Sequence, residues 1–137
     1  MSRAFADMPL LLKGVTSFFL VFGLGSLLLP LAPGVEQRVA STTLSRAEFF
    51  AAGYGDFALL LGAWLTASAF GLLRRSVWGC WGVVLAGALF VPAEHTLAAT
   101  PRLGFQSILA VAWAAAAWAY LFHTRAAAAF FTGRAAP

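Results

Sequence analysis

The chain has 137 residues, with charge on 10% of its positions and hydrophobic side chains on 61%, whereas a soluble domain of this size carries charge on about a quarter. A water-soluble fold of this composition lacks the polar surface to cover its core, so the expected solvent is lipid. The net charge of +4 does not indicate a nucleic-acid partner, because the Lys and Arg residues are dispersed between apolar runs instead of gathered on one face.

Spanning about 30 Å of hydrocarbon takes roughly 20 apolar residues in a helix. Four stretches approach that length, which predicts an all-α integral membrane four-helix bundle, one domain over 1–137, with helices near 10–31, 46–72, 76–98 and 101–123. The first run is uncharged over 14–35 and is stopped by Pro30 and Pro33-Gly34. Arg3 and Lys13 ahead of it resemble the charged start of a signal peptide, but the run is too long for an h-region and its end is proline-rich, so it is expected to be retained. The second opens on Ser45-Arg46-Ala47-Glu48, the Ser-x-x-Glu form of a capping box. Arg74-Arg75 marks the turn to the third, in which Pro92 cannot donate a hydrogen bond and crowds the carbonyl of Ala88, so a kink is expected there. Thr100-Pro101 supplies an N-cap and a first-turn proline for the fourth. Beyond His123, an alanine run over 126–129 and Phe130-Phe131 read as a tail lying along the inner interface.

Short loops rich in Lys and Arg stay on the cytoplasmic side. With the N-terminus inside, six basic residues (Arg3, Lys13, Arg74, Arg75, Arg125, Arg134) face the cytoplasm and three (Arg38, Arg46, Arg102) face outward, which predicts an N-in/C-in topology in a bacterial inner membrane.

Asp56 is the most informative single residue. It falls about eleven positions into the predicted second helix, roughly 16 Å below its outer end at 1.5 Å per residue, near mid-bilayer. A charged side chain there costs about 2.5–3.5 kcal/mol on insertion scales, so it is expected to face the bundle interior, to be paired, or to be protonated. Two roles stay open for it, an ion, proton or ligand site, and an interhelical hydrogen bond of structural value only. Glu48, two turns above, is expected on the same side of the helix, with capping as its plainer role.

A second cluster, Pro92-Ala93-Glu94-His95, is expected to face Arg102 across a tight turn, with a Glu94–Arg102 ion pair as the plain reading. A metal site would need a further ligand-rich segment, and His123 lies at the other end, so no metal is predicted. Cys80 is alone and reads as a buried thiol. Trp78, Trp81, Trp118 and Tyr120 fall where an aromatic belt belongs, whereas Trp64 and Trp113 read as deep packing residues. Small residues at Gly55, Ala58 and Gly62, at Gly79, Gly82 and Ala86, and at Ser107, Ala110, Ala114 and Ala117 read as close helix contacts. No nucleophile elbow, phosphate loop or cysteine pair is found, so enzyme chemistry has little to stand on and no cofactor is expected.

Pro30 closing the first helix, the run from Glu48 to Gly62 (Glu-Phe-Phe-Ala-Ala-Gly-Tyr-Gly-Asp-Phe-Ala-Leu-Leu-Leu-Gly) and the polar group late in the third helix resemble the small four-helix bacterial membrane proteins called DoxX-like. Those families often place an acid, a Tyr-Gly-Gly and a later Gly here; in this chain Asp56 stands at the second Gly and the spacing from the acid is one longer. The layout is more distantly similar to the sterol-biosynthesis scaffold family, through Glu94. These resemblances imply a fold but no particular activity.

The leading expectation is a non-catalytic subunit or scaffold packed, through lipid-facing helices, against other membrane-protein subunits or a second copy. The alternative is a minimal proton- or cation-coupled transporter or channel using Asp56. A lipid-modifying enzyme built on Glu48, Asp56, Glu94 and His95 stands third.

Overall fold

Uninterrupted runs of Leu, Ala, Phe and Val give helices, and the exceptions fall where Pro, Gly or a polar turn intervenes. The computed structural model describes residues 3–34, 36–39, 42–97 and 105–133, and for 3, 37–39, 88–97 and 105–107 the backbone alone. In chain order these form α1 (Arg3–Ala6), α2 (Leu10–Leu28), β1 (Gln37–Val39), β2 (Thr42–Leu44), α3 (Arg46–Ala51), α4 (Tyr54–Leu73), α5 (Val77–Leu97), α6 (Phe105–His123) and α7 (Arg125–Thr132). Helix makes up 80% of the described residues, so the class is all-α. β1 and β2 pair antiparallel, Arg38 opposite Thr43, a small hairpin that hydropathy gives no reason to expect.

Four of the seven helices among the described residues are long, and each packs antiparallel on the next in sequence. Glycines set the distances of closest approach. A Cβ on Gly62 of α4 would lie 2.7 Å from the Gly23 carbonyl oxygen and 2.9 Å from the Leu27 amide nitrogen, so α2 and α4 touch backbone to backbone. A Cβ on Gly71 would lie 2.7 Å from the Cα of Gly79, and one on Gly82 would strike Ser68, which brings α4 and α5 equally close. Trp64 Nε1 donates to the Gly82 carbonyl at 3.0 Å, and Trp113 Nε1 donates from α6 to the Val83 carbonyl at 3.3 Å. Phe19, Leu12, Leu65, Leu72 and Val83 form the buried center, together with Thr16, whose hydroxyl donates to Met8 Sδ at 3.4 Å.

The predicted second helix is two helices. Gly53 sits at φ +80°, a left-handed conformation that glycine adopts at little cost, and it ends α3 and starts α4 three residues before Asp56. Gly55 lies under the Phe50 ring instead of against another long helix, and the Tyr54 ring stacks on Phe49 at 5.8 Å. The capping box at Ser45 forms in full: Glu48 N–H donates to Ser45 Oγ at 3.3 Å, and the Ser45 N–H and hydroxyl donate to Glu48 Oε2 at 2.8 and 2.7 Å. α5 runs as one helix through Pro92 to Leu97. Thr100, Pro101 and Arg102 lie outside the described residues, as do the side chains of Glu94, His95 and Ser107, so the expected ion pair lies there too.

α1 and α7 meet at one end of the bundle, the end holding the α4–α5 turn. That turn is a Schellman cap, with Ser76 N–H donating to the Gly71 carbonyl and Arg75 N–H to that of Leu72, both at 2.9 Å. The capping position is held by Arg75 at φ +56°, where glycine is usual. The left-handed conformation costs a side-chain-bearing residue about 1–2 kcal/mol, and the side chain makes two contacts that offset it. Its Nη2 donates to Asp7 Oδ2 at 3.2 Å, and its guanidinium lies 4.9 Å from the centroid of the Phe130 ring. Arg75 therefore ties the α1–α2 turn to α7. The expected interfacial tail is docked on the bundle, with Ala127 and Phe130 buried. Both described ends of the chain lie at this capped end, and the hairpin and α3 lie at the other.

Candidate functional site: an apolar exterior and an open seam

The exterior of the bundle is as apolar as its interior. Leu10 is 87% exposed, Val21 76%, Leu60 71% and Trp78 83%, and Phe18, Leu28, Phe70, Ile108 and Val111 are also more than half exposed. α2 and α4 are each long and apolar enough to cross a membrane, about 28 and 30 Å at 1.5 Å per residue. A soluble core helix can pass the same test, but it is mostly buried, whereas only 22% and 33% of these two spans are. Exposed apolar surface on this scale marks a surface that meets lipid or protein.

Neither Asp56 nor Glu48 sits inside. Asp56 is exposed in the first turn of α4, where its charge complements the positive end of the helix dipole. The expectation of an inward-facing carboxyl is not met, because the left-handed turn at Gly53 restarts the helix just before Asp56 and leaves the side chain exposed. Glu48 is likewise exposed on α3, and the Ser45 hydroxyl and N–H hold its carboxyl below its ordinary value of 4.5. Among the described residues no three of His, Cys, Asp and Glu come together. Of the small residues expected at helix contacts, Gly62, Gly79, Gly82, Ala86 and Ala110 are buried between the long helices, Ala58, Ala114 and Ala117 are half-buried, and Gly55 is buried in the α3–α4 turn.

Sequence reading missed the seam between α2 and α6. These helices are the first and last of the four, and among the described residues they meet through side chains, with the Phe19 and Trp113 rings stacked at 6.3 Å. Two apolar grooves of about 490 and 550 Å³ run along the seam, with Phe18, Trp113 and Ala116 lining both. The first reaches Leu11, Gly14 and Tyr120 toward the capped end, and the second reaches Leu109, with Leu65, Ala86 and Gly87 as its floor. Apart from the Tyr120 phenol, no ionizable side chain among the described residues lines either groove. The signal was present in Gly14 and in the alanines at 112, 116 and 117, but nothing in hydropathy assigns those faces to one another.

No protein-family profile, curated protein or solved structure matches the chain.

Proposed function

We propose that the chain is an integral protein of a bacterial inner membrane, that α2, α4, α5 and α6 span the bilayer with both ends of the chain in the cytoplasm, and that it acts as a non-catalytic subunit or scaffold packed against a larger membrane complex. The observation that carries this reading is the large apolar side chains left exposed on all four long helices, with little buried in α2 and α4. Helices apolar all round are stable in lipid or inside a larger assembly. The bundle leaves little mass outside the spans to do chemistry, and among the described residues its grooves are lined by no carboxylate, imidazole, guanidinium or amine. The transporter alternative depends on an interior Asp56, and the exposed first-turn position of that residue gives it no support.

Photo-crosslinking in intact membranes from the exposed positions Leu60 and Trp78 tests the reading. The chain should stay in the membrane pellet after alkaline washing and give a discrete polypeptide adduct, whose mass matches a complex isolated in mild detergent. Adducts to lipid alone, with a free monomer in detergent, would refute the subunit role; release into the alkaline supernatant would refute membrane insertion.

A further inference from the structure

The joint between α6 and α7 bends where the local sequence gives no reason to bend. α6 ends at His123 and α7 begins at Arg125, so Thr124 alone turns the corner, in an extended conformation at φ −92° and ψ 141°. Sharp bends in helices are usually placed by proline or glycine, and neither occurs between Phe105 and Thr132. The residues after the corner, Arg125 and the alanines over 126–129, are among the strongest helix formers. By local preference they would continue α6. The corner instead forfeits the helical bonds that the N–H groups of Arg125, Ala126 and Ala127 would make to the carbonyls of Leu121, Phe122 and His123.

Side chains hold the bend. The Thr124 hydroxyl donates to the Tyr120 carbonyl at 2.7 Å and accepts from the Ala127 N–H at 3.4 Å, standing in for one of the lost bonds. Phe130 joins the buried cluster that includes Met8, Leu12, Leu72 and Leu121. Arg75 lies over the outer side of this contact, with its guanidinium against the Phe130 ring and its Nη2 on Asp7.

Two residues at this end thus break a local rule, Thr124 as the interruption of an alanine-rich helix and Arg75 in the left-handed region, and α7 connects them. A residue kept in an unfavored backbone state persists only where its surroundings over-determine it, and such residues gather at switches. The tie is also a light one. The Arg75 and Asp7 side chains are 32% and 64% exposed, and ion pairs that open to water contribute little and are screened by salt.

We propose that α7 is a strap with two discrete positions, docked across the capped end with Thr124 bent, or straightened into one continuous helix with α6, and that Arg75 is the latch that selects the docked position. Straightening regains the three backbone bonds of the corner and withdraws Phe130 from the cluster it shares with Met8 and Leu12, so both positions are folded arrangements of the same segment. The device is independent of the assembly that the bundle joins.

Spin labels at Leu60→Cys, exposed on α4 toward the hairpin end, and Thr132→Cys, exposed at the tip of α7, report the strap by double electron–electron resonance in detergent micelles, with Cys80→Ser removing the native thiol. With Arg75 and Thr124 intact, the shorter separation should dominate. Arg75→Gln loses both the contact with Phe130 and the pair with Asp7, and Thr124→Ala loses the hydroxyl bridge and gains helix propensity. Each should raise the population of a longer separation severalfold, because the tip of the eight-residue helix swings on an arm of about 12 Å, while circular dichroism shows no loss of helix. Separations unchanged in both variants overturn the proposal, and a longer separation in Thr124→Ala alone would refute Arg75 as the latch. A loss of helix with one broad spread of separations would also overturn it, since α7 would then fray instead of straightening.

Discussion

Replacing Gly62 with alanine tests how closely α2 and α4 approach. The new Cβ would stand 2.7 Å from the Gly23 carbonyl oxygen and 2.9 Å from the Leu27 amide nitrogen. Ordinary contact begins near 3.4 Å, and both neighbors are backbone, so α2 must move away by about 0.7 Å. A gap of about that size forfeits a quarter to a half of each dispersion contact along the interface, and overpacking of this kind costs about 1–3 kcal/mol. Alanine also removes the cost of glycine in a helix interior, about 0.5–1 kcal/mol, so a reference is needed. Gly25, two residues beyond Gly23 on α2, has nothing within 4 Å of an added Cβ. Gly25→Ala should therefore stabilize while Gly62→Ala destabilizes, the two differing by about 1–3 kcal/mol. Reversible SDS unfolding in mixed micelles, followed by tryptophan fluorescence, measures both. Equal shifts in the two variants would refute a backbone-to-backbone crossing.

Arg75→Gly should relieve the left-handed backbone but release α7, and deuterium exchange in residues 125–132 should speed up while the long helices stay protected; unchanged exchange would show that the Asp7 and Phe130 contacts do not hold the cap. Asp56→Asn should change stability by no more than about 1 kcal/mol, the loss of one charge at a helix N-terminus, and should leave assembly intact, whereas a loss of several kcal/mol in the same unfolding assay would restore an interior role. The Glu48 carboxyl should titrate below 4.5 in an NMR pH series, and Ser45→Ala should raise it part of the way back, because the hydroxyl is lost while the backbone N–H at position 45 still donates. Because the folded value is depressed, the capping contribution is complete above the unfolded carboxylate value of about 4.3 and is lost as pH falls through the lower folded one. Reporter fusions after α7 and near Gly34 should report opposite sides of the membrane, with the former cytoplasmic; a periplasmic C-terminus would reverse the proposed orientation.

Composition and local chemistry settled part of this structure in advance. The apolar runs became long helices, Ser45 and Glu48 formed their reciprocal cap, and Arg74-Arg75 marked a turn, because each depends on residues within a few positions of one another. Tertiary structure decided the rest. Gly53 could continue a helix or break it, and the broken form, with Phe50 over Gly55 and Phe49 on Tyr54, puts Asp56 at a helix start and not in its middle. Arg75 reads as one more basic loop residue until the fold brings Asp7 and Phe130 to it from either end of the chain. The seam between α2 and α6 was beyond sequence reading for a related reason. Helices apolar on every side carry no stripe to say which face turns inward, so the pairing of their faces is fixed by where glycine lets backbones touch and where Phe19 meets Trp113, contacts that exist only once the chain has folded.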